Sequence, residues 1–240
     1  MLKTRVIPCL LLKDLGLVKT VKFDNSKYVG DPINAVKIFN EKEVDELIFL
    51  DITATSEKRK PNFELLSRIA SEAFMPFSYG GGLRDIEDIR KVLKIGIEKV
   101  IINTYACENT RFIKEVADEF GSQSIVVAID VKKEDSGYKV FINSGKTRAE
   151  REPVEYAIEM EKMGAGEIFL NSIDRDGTME GYDLNLIKMV SRAVNMPVIA
   201  SGGAGKTEDF KNAVEAGASA VSAGSMFVFY GRNKAVLINY

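Results

Sequence analysis

The 240-residue chain contains no histidine, so proton transfer must fall to Asp, Glu, Lys, Tyr or Cys. Ser-His and Cys-His nucleophilic systems are excluded with it. Zinc sites built on histidine are excluded too, and two distant cysteines, Cys9 and Cys107, do not replace them. Neither a metal nor an organic cofactor is expected. The leading acid/base candidate is Asp130, which ends the run Ile125-Val126-Val127-Ala128-Ile129. A carboxylate at the mouth end of a hydrophobic strand is partly desolvated, which raises its pKa. Asp51 ends a similar run, and catalysis or acceptance of loop amides suits it equally. In Ser172-Ile173-Asp174-Arg175-Asp176-Gly177-Thr178, Asp176 and Gly177 can face a ligand, and an Asp–Arg pair can close the turn.

A second kind of chemistry is written in glycine. Gly81-Gly82 and Gly202-Gly203 each follow a short apolar run. Each is followed in turn by a helix pattern, another apolar run and a small polar pair, Asn103-Thr104 or Gly224-Ser225. Glycines let backbone amides approach an anion closely, and helix starts add oriented N–H donors. One Gly-Gly is an ordinary tight turn, but two at matched positions favour phosphate binding. The matching extends further. At an offset of 121 residues Pro32 pairs with Pro153, Glu46 with Glu167, Ile52 with Ile173, Leu65 with Leu186, Pro76 with Pro197 and Gly96 with Gly217. A duplicated sequence folds as similar halves, here about 1–120 and 121–240, and a ligand with a phosphate at each end would suit both.

Eight apolar runs begin at Arg5, Glu46, Phe77, Lys99, Ile125, Glu167, Val198 and Ala220. Amphipathic stretches lie between them near 32–43, 62–74, 85–95, 110–120, 153–163, 183–194, 207–216 and 233–239. β-Branched strands each followed by a helix predict a parallel sheet covered by helices. Eight units in one domain, 1–240, fit an α/β (β/α)8 TIM barrel with a half-barrel internal repeat. An open doubly wound sheet is the alternative. Asp31-Pro32, Asp85, Thr110, Asp183 and Thr207 mark helix starts. The stretch 135–143 reads as a small β excursion, and the long loop 12–30 as a lid. Candidate site residues then gather at the C-terminal ends of the strands.

At the other end, Arg5, Glu46, Lys99 and Glu167 each open a strand. Single charges there are usually solvated, but two cations and two anions at matched depth can close into a ring across the barrel. The net charge of −2 and the lack of a long apolar run give no case for nucleic acid or membrane. With only two cysteines and no cleavable leader pattern in Met1–Pro8, a reducing cytoplasm is expected.

Over nearly its whole length the sequence resembles the cyclase subunit of imidazole glycerol phosphate synthase. The resemblance rests on Arg5-Val6-Ile7-Pro8-Cys9-Leu10, Phe49–Ala54, Gly80-Gly81-Gly82, Ile102-Asn103-Thr104, Phe120–Gln123, Ser144-Gly145-Lys146, Ser172–Thr178 and Ala200–Lys206. It implies a heterodimer with a glutaminase whose ammonia travels down the barrel axis to a substrate bearing two phosphates. Residue by residue, it implies an ammonia gate at Arg5, Glu46, Lys99 and Glu167, and partner docking at Glu98. It implies phosphate or substrate contacts at Lys19, Gly82, Asn103, Thr104, Asp176, Gly177, Gly203, Gly224 and Ser225, and catalysis by Asp130. The pattern breaks at Leu11, where the family carries its principal acid/base Asp, and Asn171 replaces a family Thr. That break resembles paralogues encoded with bacterial surface-polysaccharide genes, where a similar barrel, a glutaminase and an adenylating ligase serve amide or amidine formation on sugars. A working cyclase and a non-catalytic ammonia scaffold are the competing readings.

Overall fold

The computed structural model describes residues 4–231 and 233–240; Met1, Leu2 and Lys3, expected to run directly into the first strand, lie outside them. In chain order, β1 (Arg5–Lys13) leads into β2 (Gly16–Val21), β3 (Asp24–Gly30) and α1 (Pro32–Glu41). The chain continues through β4 (Leu47–Asp51), α2 (Phe63–Glu72), β5 (Phe77–Gly80), α3 (Ile86–Lys94), β6 (Lys99–Ile102), α4 (Thr104–Glu108) and α5 (Thr110–Phe120). Next come β7 (Ile125–Glu134), β8 (Gly137–Ile142), β9 (Thr147–Arg148), α6 (Pro153–Lys162), β10 (Glu167–Ser172) and α7 (Leu184–Ser191). The chain ends through β11 (Val198–Ser201), α8 (Thr207–Glu215), β12 (Ala220–Ala223), α9 (Ser225–Val228), β13 (Phe229–Tyr230) and β14 (Ala235–Val236).

Eight of these strands form a closed parallel barrel. The pairing runs β1–β4–β5–β6–β7–β10–β11–β12 and returns to β1, every step parallel. Closure leaves no edge strand, so each strand satisfies its backbone groups on both sides. Alternation along each strand then divides the side chains. Outward residues such as Leu10, Phe49, Val100, Val127 and Leu170 pack under the helices. Inward residues Ile7, Cys9, Ile48, Ile101, Val126, Phe169 and Ile199 fill the axis as a second cluster.

The helix starts are as the sequence indicates. Asp31, Asp85 and Asp183 each accept a first-turn backbone N–H, as does Asn62. Thr110 and Thr207 are first helical residues.

Two expectations need correction. Stretch 12–30 is not an irregular loop. β1 runs on to Lys13 and pairs antiparallel with β2, which pairs antiparallel with β3. This hairpin folds onto the barrel because Leu17 and Val18 are buried and the Lys22 amide donates to the Asp176 carbonyl at 2.9 Å. Residues 233–239 form no helix. Gly231, at φ +70°, turns the chain back so that β14 pairs with β13. The tail then satisfies carbonyls at the end of α9, Leu237 N donating to Val228 and Asn239 N to Phe227. The small β excursion is present as β8, antiparallel to β7.

Phe49 is fully buried and meets Phe77 edge-on with centroids 5.9 Å apart. Phe49→Ala should destabilise the protein by about 3–5 kcal/mol, read as a lowered urea unfolding midpoint.

Candidate active site

A cavity of about 840 Å³ opens at the C-terminal ends of the barrel strands. Its lining includes Asp130 and two glycine-containing rims, a first cradle of Gly82, Asn103 and Thr104 and a second cradle of Gly177, Gly203, Gly224 and Ser225 with Lys19 and Asp176 beside it. Residues from across the sequence therefore meet because the barrel closes. Leu11 lines the same space.

Asp130 sits where β7 leaves the barrel to pair with β8, opposite Asn171 of β10 in the parallel register. Asn103 Nδ2 donates to its carboxylate at 3.1 Å and to the Ala128 carbonyl at 2.9 Å. Burial pushes the Asp130 pKa up, and Asp176 adds to the rise. Asn171 and Asn103 oppose it, and the net result is about 7. A carboxyl poised there exchanges protons near neutral pH, which is what an acid/base group requires. Leucine at position 11 contributes no proton acceptor.

The second cradle is bound to the hairpin. Thr20 Oγ1 donates to Asp176 at 3.1 Å. Lys19 is buried on β2, not carried on a loop, and its ammonium donates to the Cys9 carbonyl. Burial lowers the Lys19 pKa against the favourable fields of Cys9 and Asp176. Burial also raises Asp176, while Lys19 and Thr20 pull it down. Gly203 holds φ +113° with its carbonyl accepting from Gly181 N at 2.8 Å. A side chain there would meet the Gly181 carbonyl, so only glycine fits.

The first cradle is braced by the loop after β4. Asp51 accepts from the amides of Thr53 and Ala54 at 3.1 and 3.0 Å and from Arg59 at 3.2 Å. It is therefore an acceptor that shapes the loop. Thr104 Oγ1 accepts the Asn143 amide at 3.0 Å. The expected Asp–Arg pair in the turn after β10 does not form among the described residues. Asp174 instead accepts the Lys133 amide at 2.8 Å, tying that turn to the β7–β8 hairpin.

At the opposite end the four charges close into a ring. Arg5 reaches Glu46 at 2.7 Å and Glu167 at 2.8 Å, and Lys99 reaches the same two carboxylates at 3.4 and 3.3 Å. Ser78 Oγ donates to Glu46 at 2.9 Å. Burial disfavours the Arg5 charge, but Glu167 and Glu46 outweigh it and its pKa is raised. Glu98 is exposed beside Lys99 on the outer rim of this end.

Comparison with known proteins matches residues 5–233 to the family of histidine biosynthesis proteins. The chain is 53% identical over 242 residues to a Pseudomonas aeruginosa protein, spanning all of this chain and 96% of the relative. The name of that relative assigns it, with reservation, as imidazole glycerol phosphate synthase subunit hisF2. A Leptospira interrogans protein, named with the same reservation as subunit HisF, is 49% identical over 243 residues, again all of this chain and 96% of the relative. The imidazole glycerol phosphate synthase subunit HisF of Hydrogenobaculum sp. is 49% identical over 231 residues, 95% of this chain and 92% of the relative. The chain belongs to the histidine biosynthesis protein family, in its HisF-like branch.

Within that HisF-like frame the structure adds residues that sequence reasoning passed over. Thr20, Cys9 and Arg59 hold Asp176, Lys19 and Asp51 in place. Cys9 lay within reach of the sequence, since alternation from Ile7 to Leu11 points it inward. The partnership of Arg59 with Asp51 depends on how the loop folds, and spacing alone does not show it.

Asp130 should titrate near 7 in the folded protein by carboxyl infrared or NMR shift. Unfolded, it ionises near ~3.9. Between those values the folded state binds the extra proton, so stability falls as pH rises from about 4 to about 7 and levels off above. Asp130→Asn should remove that part of the slope, read from urea midpoints at pH 5 and pH 8. Lys99→Met leaves Arg5 as the one cation on Glu46 and Glu167 among the described residues, and should lower stability by about 1–3 kcal/mol.

Proposed function

We propose that this chain is the ammonia-accepting barrel of a glutamine-dependent synthase, a single domain built of two half-barrels. It takes ammonia from a partner glutaminase at the charged end and uses it at the cavity. The observation that carries this reading is the placement of the two ends on one closed axis: four interlocked charges across the strand starts, and Asp130 with two glycine cradles across the strand ends. Relatives named as subunits of imidazole glycerol phosphate synthase support the assembly with a glutaminase. The chain has no histidine from which to build a glutaminase site of its own.

The ring acts as the gate. Its two cations serve two carboxylates, so one cation can swing away while the other holds the pair. Ammonia released from a glutaminase docked near Glu98 passes the opened ring and rises through apolar walls. In the cavity its nitrogen adds to a carbonyl-type carbon of the acceptor, the π pair of that carbon passes to its oxygen, and Asp130 takes the proton from the nitrogen and returns it to that oxygen. Lys19 and Asp176, with Gly177, Gly203, Gly224 and Ser225, hold one anionic end of the acceptor, and Gly82, Asn103 and Thr104 the other.

Leu11 narrows the reading. The cavity wall offers a methyl-bearing side chain where the family resemblance implies a second proton-transfer group. The specialised role that fits is delivery of ammonia for amide or amidine formation on a bacterial surface sugar, with an adenylating ligase activating the acceptor. Two cradles suited to a bisphosphate favour a second reading, a working histidine-pathway cyclase run by Asp130 alone.

The two readings separate on one substitution. With free ammonium and the ribulosyl bisphosphate substrate, the unmodified protein should turn over at background, and Leu11→Asp should raise the rate by roughly 100-fold or more. Vigorous turnover by the unmodified protein would sink the surface-sugar reading.

A further inference from the structure

Ser222 lies inside the barrel, and its hydroxyl has no hydrogen-bond partner among the described residues. Its side chain faces the axis: on β12 the flanking Val221 and Ala223 pack outward under the helices, while Ala220 joins the inner cluster. In register, Ser222 stands opposite Ile7 of β1, itself an inner residue. The residue is fully buried, and among the described residues Oγ makes no hydrogen bond. Ser78, which pairs in register with the ring residue Lys99, by contrast has its hydroxyl taken up by Glu46.

Position along the strand sets Ser222 apart. Two residues before it, Ala220 pairs with Arg5 of the ring. Two residues after it, Gly224 lines the cavity. Ser222 thus stands halfway between the two ends of the axis, in the inner cluster whose Ile101 and Phe169 also line the cavity. The surrounding inner cluster is apolar, and includes Ile7, Ile48, Ile101 and Phe169. A hydroxyl in such surroundings is unfavourable unless something bonds to it. A partner there must be neutral and able to donate or accept, because the surrounding side chains are apolar and offer no counter-charge.

We propose that Ser222 is an internal hydrogen-bonding station that holds one small neutral molecule, water or ammonia, midway between the charged ring and the cavity. This rests on the reading of the barrel as an ammonia conduit. It adds a named stopping point where a neutral nitrogen keeps one hydrogen bond while crossing an apolar section. Ammonia must cross uncharged, since an ammonium ion has no counter-charge at this depth.

High-resolution crystal structures of the full chain and of Ser222→Ala test it. The expected result is an ordered single-atom guest at hydrogen-bond distance from Ser222 Oγ, lost in the variant. A hydroxyl bonded to a main-chain carbonyl with no guest beside it would overturn the proposal. Thermal unfolding gives an independent reading. Relief of an unsatisfied hydroxyl would raise the Tm of Ser222→Ala, against the proposal, whereas loss of a bound guest leaves Tm unchanged or lowered. A methylamine soak at high pH separates the station from the conduit. Density that grows by one atom shows that amines reach Ser222. A guest that stays a single atom leaves the station standing with water and counts against the conduit.

Discussion

Closure of the parallel sheet is the constraint from which the rest of the molecule follows. A closed barrel has no free edge, and it sorts every strand residue to the helices or to the axis. The interior is narrow, so residues distant in sequence are pressed into contact. Arg5, Glu46, Lys99 and Glu167 meet at one end, and Asp130, Asn171 and Asn103 meet at the other. A charge pointed into such a space must find a partner or be neutralised by a change of protonation. The ring takes the first course. Asp130 takes the second, with burial pushing its pKa up to about 7.

The cavity is asymmetric in a way that bears on its chemistry. On the side of the second cradle, the antiparallel hairpin brings Lys19 and Thr20 against Asp176. On the side of the first cradle, Arg59 and Asp51 form a rigid brace that faces loop amides. One half is thus furnished with buried, mutually shifted titratable groups, and the other with a fixed scaffold. Leu11 puts an apolar side chain into the same cavity lining as Asp130.

Much of the architecture could be read in advance because barrel strands and their helices obey local periodicities. The alternating units, the capping aspartates at positions 31, 85 and 183, and the β excursion after β7 all follow from neighbours within a few residues. The hairpin at 16–30 was missed because its strands carry a mixed pattern of Lys, Asn and Gly, and it is held by the barrel more than by its own periodicity. The tail was misread for a related reason: residues 233–239 have helical spacing, but Gly231 reverses the chain and the carbonyls of α9 offer the backbone another partner.

The sequence by itself determined the barrel, the duplicated glycine signatures, the lack of any imidazole, and a leucine at position 11. Those are properties of composition and short-range order. Only the tertiary structure decided that Asp51 braces a loop, that Lys19 is buried against Cys9, that the four strand-opening charges close into a ring, and that the Ser222 hydroxyl finds no partner among the described residues. Each of these depends on which strands share a level of the barrel. That is fixed by how eight strands stagger on closure, and no local stretch of chain encodes it.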